Sequence, residues 1–129
     1  MSKQDHIAYW VTSAEQNWKA IPLLFDGGCF VEALFWAHLV LEKLMKAHWV
    51  KDNPENVPPK THNLVKLAEG TKLDISEEEK QFYYNINQFQ IEGRYPDYLH
   101  NLYKKYKKDQ TKKIIEEIET IRTWLLNKL

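Results

Sequence analysis

Apolar residues recur every three or four positions along nearly the whole chain, and nowhere do apolar and polar residues alternate in a sustained run bounded by turn residues. This pattern predicts helices and no strands. The first helix is expected to start at Ser2, whose hydroxyl suits the N-cap with Asp5 at the third helical position. It carries Tyr9, Trp10, Ala14 and Ile21 as far as the turn at Asp26 to Gly28. Pro22 lies inside it and is expected to kink it, because its ring crowds the preceding turn and it has no N–H to donate to Trp18.

The second helix, from about Cys29 to Lys51, lines up Phe30, Ala33, Leu34, Ala37, Leu41, Leu44 and Met45, and Trp36, Val40 and Ala47 widen that stripe nearly all round. A helix so broadly apolar belongs at the centre, packed on other helices and on a second subunit. Its polar remainder is Glu32, His38, Glu42, Lys43 and Lys46. His38, Glu42 and Lys46 follow one another at single-turn intervals and read as a hydrated strip.

A proline-rich connector, "KDNPENVPPK" at 51–60, comes next. Thr61 is expected to cap a short third helix through Leu64, Leu67 and Ala68, ended by Gly70. Ser76 and Glu79 form a capping box, and glutamates at 77–79 favour the positive end of a helix there. That fourth helix turns Phe82, Ile86 and Phe89 inward and meets Gly93, a natural C′ residue. A last helix, about Asp109 to Lys128, sets Ile114, Ile118, Ile121 and Leu125 on one face. The fold class is all-α: an antiparallel bundle of about five helices, one domain over residues 1–129.

Composition narrows the function classes. With 43% hydrophobic and 13% aromatic residues the chain is expected to fold, and its 18 basic and 18 acidic residues cancel, so global charge favours neither nucleic acid nor anionic membrane. The single cysteine, Cys29, excludes an internal disulfide and a cysteine zinc framework, and reads as packing. No stretch approaches the roughly 18 apolar residues of a membrane span, and the N-terminus lacks a secretory pattern, so a cytoplasmic protein is expected. No metal and no cofactor are expected. His62 has no second ligand at zinc spacing and suits a cap or a hydrogen bond to a neighbouring helix, and Gly27 and Gly28 make a turn and no phosphate cradle.

Three blocks carry a family resemblance: "GGCFVEALFWAHLVLEKLMKA" at 27–47, "PPKTHNLVKLAE" at 58–69 and "RYPD" at 94–97. In this order and spacing they resemble the HEPN family (higher eukaryotes and prokaryotes nucleotide-binding) over about residues 10–126. The resemblance implies an up-and-down four-helix core and a homodimer through the second helix and the "RYPD" corner. The family includes metal-independent ribonucleases, toxins paired with minimal nucleotidyltransferases, and members with no assigned activity. Its catalytic signature is an arginine separated by four to six residues from a histidine; Arg94 and His100 enclose five, "YPDYL".

The chemistry of that pair is intelligible. An arginine fork holds a phosphate and stabilises charge in the transition state, and a neutral histidine removes or delivers a proton at the ribose or the leaving oxygen. On one continuous helix, residues six apart sit about 240° apart and share no face. Pro96 changes this, because it disfavours helical backbone at Tyr95 and suits the first position of a new helix, leaving Arg94 in the corner and His100 about one turn beyond. Tyr95 departs from the Asn, Asp or His that commonly follows the arginine in active members. The alternative is therefore a structural or binding corner, with Arg94 paired to Asp97 and His100 incidental.

Tyr103 lies three residues after His100, where toxins of the family have a tyrosine at two that receives adenylate, which makes it a candidate modification site. Six lysines, at 104, 105, 107, 108, 112 and 113, less Asp109, leave +5 over residues 104–113, interleaved with Tyr103 and Tyr106. Cations with rings between them suit single-stranded RNA, so Arg94, Tyr103, Lys104, Lys105, Lys107 and Lys108 form the candidate nucleotide- or RNA-binding set. The other reading of the run is a solvated face offset by Glu116, Glu117 and Glu119. The expected function is RNA or nucleotide handling in a prokaryotic toxin–antitoxin or defence setting, with metal-independent endoribonuclease as the candidate activity if the chain is an enzyme. The alternatives are a non-catalytic module for a minimal nucleotidyltransferase or a nucleotide, and a structural dimerisation domain.

Overall fold

The computed structural model describes residues 1–91 and 95–129, the side chain of Ile91 excepted. Among the described residues there are seven helical segments and no strand. They are α1 (Lys3–Asp26), α2 (Phe30–Asp52), α3 (Leu64–Glu69), α4 (Glu77–Ile86), α5 (Gln88–Ile91), α6 (Pro96–Lys105) and α7 (Lys108–Lys128). The expected all-α class stands, with more and shorter pieces than five.

The start of α1 is the expected capping box. The Ser2 hydroxyl accepts the Asp5 N–H at 3.1 Å, and the Asp5 carboxylate accepts the Ser2 N–H at 3.0 Å. Pro22 does not interrupt the segment, and its ring is exposed. Gly28, at φ 79°, takes the left-handed conformation that turns the chain back, so α2 folds against α1.

Helix α2 is the axis. Fourteen of its residues are buried, and α1, α3, α5, α6 and α7 all pack on it. Its apolar breadth meets the other helices of the chain, as the sequence pattern suggested. Lys3 closes the far end by donating to the carbonyls of Val50 (2.6 Å) and Asn53 (2.7 Å), satisfying acceptors that a helix C-terminus leaves open. The core combines Leu34, Leu41, Leu44 and Met45 with Ile21, Leu64, Leu67, Tyr83, Phe89, Ile118 and Leu125. Helix α7 is further tied down by His48, whose Nε2–H donates to the Leu125 carbonyl at 2.8 Å. A second tie is Arg122, paired with Glu15 and lying over the Trp18 ring.

Two boundaries differ from expectation. Asn63, and not Thr61, caps α3: its Oδ1 accepts the N–H groups of Val65 (3.1 Å) and Lys66 (3.3 Å), while the Thr61 hydroxyl stands two residues earlier and accepts the Asn63 N–H. Helix α4 begins at its Ser76–Glu79 capping box as expected but ends at Ile86, and Phe89 reaches the core from α5. The proposed stop at Gly93 lies outside the described residues. The last helix starts at Lys108, beside the expected Asp109, and Tyr106, extended (φ −100°, ψ 94°), separates it from α6. Its ring is buried edge-on against Phe89 at 5.0 Å and its hydroxyl accepts from Gln88 at 3.0 Å, an anchorage that accompanies the break in the helix.

Candidate functional site

Pro96 opens α6 as its chemistry dictates. Tyr95 is the extended N-cap (φ −116°, ψ 131°), Pro96 is the first helical residue, and His100 follows one turn in. The helix buries little beyond Leu102 and part of Leu99. Tyr95 is 58% exposed, Tyr98 53% and Tyr103 43%, so three rings stand in solvent on one short helix and its cap. His100 is exposed and makes no hydrogen bond among the described residues. Lys104, Lys105, Lys107 and Lys108 are all exposed, and the Lys105 ammonium lies 5.2 Å from the Tyr106 ring centre. Arg94, the other half of the candidate catalytic pair and a member of the binding set, lies outside the described residues.

Tyr103 has a partner that spacing alone did not suggest. Its hydroxyl donates to Glu32 Oε2 at 3.0 Å, joining α6 to the first turn of α2 across 71 residues of chain. That hydrogen bond, with some desolvation, raises the tyrosine pKa and keeps the hydroxyl protonated. The two residues border a cavity of about 160 Å³ whose other walls include Phe35, Trp36, Phe89 and Leu99.

A second polar group lies inside the bundle. His38, Glu42 and Lys46, read from sequence as a hydrated strip, are 0%, 3% and 8% exposed. Burial is tolerated because each meets a partner. Glu42 accepts from Lys46 Nζ through one oxygen (3.0 Å) and from His62 Nδ1–H through the other (2.8 Å), and the Trp10 ring lies 5.2 Å from the Lys46 ammonium. His62, its side chain 48% exposed, is therefore held by a buried carboxylate, which orients the ring. This fulfils the expectation of a hydrogen bond from His62 to a neighbouring helix.

Beside it runs a relay of two asparagines. Asn63 Oδ1 accepts two backbone N–H groups of α3, so the amide that meets it, Asn87 Nδ2 at 3.0 Å, must be the donor. Asn87 Oδ1 is then an acceptor, taking the Leu64 N–H (3.1 Å) and His38 Nε2 (3.0 Å). His38 is thereby assigned as the Nε2–H tautomer. Burial pushes its pKa down to about 4, so it is neutral at pH 7. Neither asparagine carries a signal in the sequence pattern beyond a polar residue near a helix boundary.

Among the described residues no three His, Cys, Asp or Glu side chains gather as a metal site, and no helix is long and apolar enough to cross a membrane. No curated protein and no solved structure matches the chain. The HEPN domain family model, however, matches residues 7–129. Of the three sequence blocks, the first is the body of the axial helix, the second supplies His62 and Asn63 against it, and Pro96 of the third opens α6. The protein belongs to the HEPN family, whose general role is nucleotide- or RNA-related.

Proposed function

We propose that the chain handles RNA at α6, holding a single strand along the tyrosine and lysine face and cleaving it through Arg94 and His100. The observation that carries this reading is the combination on α6 and its ends of three exposed tyrosines, His100 and Lys104, Lys105, Lys107 and Lys108. Rings stack bases of any identity and ammonium groups neutralise phosphates. An exposed imidazole one turn into the helix, and an arginine immediately before the N-cap residue in sequence, supply the proton acceptor and the phosphate fork. His100 takes the proton of a ribose 2′-hydroxyl, the 2′-oxygen attacks phosphorus, and the bond from phosphorus to the 5′-oxygen breaks as that oxygen takes a proton from water, leaving a cyclic phosphate and a free 5′-hydroxyl. A homodimer would present two such surfaces, and the setting proposed is a prokaryotic toxin–antitoxin or defence system.

The test is RNA incubated with the purified protein in EDTA, beside Arg94→Ala and His100→Ala. We expect cleavage to a cyclic phosphate, with either substitution lowering the rate by about 10²–10⁴-fold. Cleavage that survives both substitutions, or none by the parent protein, removes the ribonuclease reading.

A second reading is favoured by Tyr103, whose exposed hydroxyl is held by a carboxylate able to take its proton. Here the chain is a partner module modified at Tyr103 by a minimal nucleotidyltransferase. Intact mass after co-expression with such an enzyme tests it: a gain of one adenylate, lost in Tyr103→Phe, supports this reading, and an unchanged mass rejects it.

A further inference from the structure

We propose that the cavity between the start of α2 and the middle of α6 receives one base of the bound RNA, guanine by preference, and that Glu32 reads it. The inference rests on the RNA-binding reading of α6 and names what that surface would select.

The cavity holds about 160 Å³. This is below the roughly 300–1,000 Å³ of a site for a drug-sized ligand, so it suits one planar ring system with its sugar and phosphate left outside. Its walls are of the right kind. Phe35 and Trp36 meet edge to face at 6.2 Å, Phe89 lies behind, Leu99 and Tyr103 form the α6 side, and both Phe35 and Trp36 are part-exposed. Aromatic surface left partly open beside a cationic strip is what base stacking uses. Lys104 and Lys105, both exposed, follow Tyr103 on the same helix and supply cationic charge on α6 for the phosphates of a strand whose base enters the cavity.

Glu32 supplies the discrimination. Among the residues lining the cavity it carries the formal negative charge, and a carboxylate is an acceptor with room for about four hydrogen bonds. Tyr103 uses one position, on Oε2; Oε1 has no hydrogen-bond partner among the described residues. The Tyr103 bond also holds the carboxylate in place before a base arrives. Guanine presents two adjacent donors, the ring N1–H and the exocyclic amine, which a carboxylate accepts side by side. Adenine and cytosine offer an amine next to a ring nitrogen acceptor. Uracil sets its single N–H between two carbonyl oxygens that the carboxylate repels. The expected order is guanine first, uracil last.

The experiment measures binding of short 2′-O-methyl oligonucleotides, which cannot be cleaved through the 2′-hydroxyl, each a uridine run with one central G, A, C or U. The parent protein, Glu32→Gln and Lys104→Ala/Lys105→Ala are compared, with melting curves to establish that each is folded. We expect the parent to favour the G oligonucleotide over the U oligonucleotide by about tenfold, as one good bidentate contact allows. Glu32→Gln, which keeps the size but replaces one acceptor by a donor, should reduce this to under about twofold, by weakening the G oligonucleotide and by relieving the repulsion of the uracil carbonyls. The lysine variant should weaken all four oligonucleotides alike. Equal binding of the four by the parent, or a G preference that survives Glu32→Gln, overturns the assignment of Glu32 and leaves the RNA reading of α6 in place. Absence of binding to every oligonucleotide at low salt overturns both.

Discussion

Two regions of this molecule use the same residue types to opposite ends. On α2, His38, Glu42 and Lys46 are enclosed, and with His62, Asn63 and Asn87 they form a network that joins α2 to α3 and to the α4–α5 boundary. On α6, His100 and the lysines at 104, 105, 107 and 108 stand in solvent with three tyrosines. Histidine and lysine identity therefore decides nothing here. What differs is whether the partners are supplied by the fold or left to come from outside, and a residue of the second kind is the one available for a ligand.

The comparison breaks most visibly through substitution. Glu42→Ala leaves the Lys46 ammonium buried without its carboxylate and removes the acceptor of His62. A loss of about 3–5 kcal/mol in denaturant-derived stability is expected, whereas His100→Ala should stay within about 0.5 kcal/mol of the parent. Equal stabilities for the two variants would dissolve the contrast.

Acid tests the same contrast next. An unfolded histidine titrates near 6.5 and folded His38 near about 4. Between those values the unfolded chain binds a proton that the folded chain does not, so stability falls as pH drops from 6.5 toward 4. The change is about 3 kcal/mol for this one group. Burial lowers the pKa of His48 as well, with the same sign. His38→Gln, whose amide can still donate to Asn87, should flatten much of the slope in unfolding curves collected at stepped pH.

A smaller effect on stability, with a distinct readout, comes from the exposed face. Lys104→Ala/Lys105→Ala should leave the melting temperature nearly unchanged and lower RNA affinity at low salt. The slope of log affinity against log salt should become shallower by about 1.4, from two lost phosphate contacts on a single strand. The smallest effect belongs to Thr61→Ala. It should cost a few tenths of a kcal/mol, while Asn63→Ala, which removes the true cap and breaks the relay, costs about 1 kcal/mol or more.

Much of the architecture was legible because it is local. Ser2 with Asp5 and Ser76 with Glu79 satisfy amides within their own first turns, Pro96 constrains its own neighbour, and α7 shows its buried face as a simple periodicity. Apart from the α3 cap, placed two residues early at Thr61, the misreadings are non-local. His38, Glu42 and Lys46 looked hydrated because a helical pattern scores polarity as outward. Their burial depends on His62, 20 positions beyond Glu42, and on Asn87, 49 beyond His38, and no spacing rule connects those positions. Tyr106 was read as part of a basic run, when its ring is committed to Phe89. On α6 the exposed residues were visible from sequence, but the tie from Tyr103 to Glu32, and the cavity it borders, required the fold.

Helix α3 carries one more consequence. At six residues it is far too short to persist in water by itself, and its leading amides are held by asparagine side chains, one of which reaches in from the α4–α5 boundary. The Leu64 amide proton is therefore a gauge of the whole assembly. In hydrogen exchange it should be released only when the union of α3 with its neighbours opens, and its protection will report, at a single atom, how firmly the middle of the chain is bolted to the axial helix.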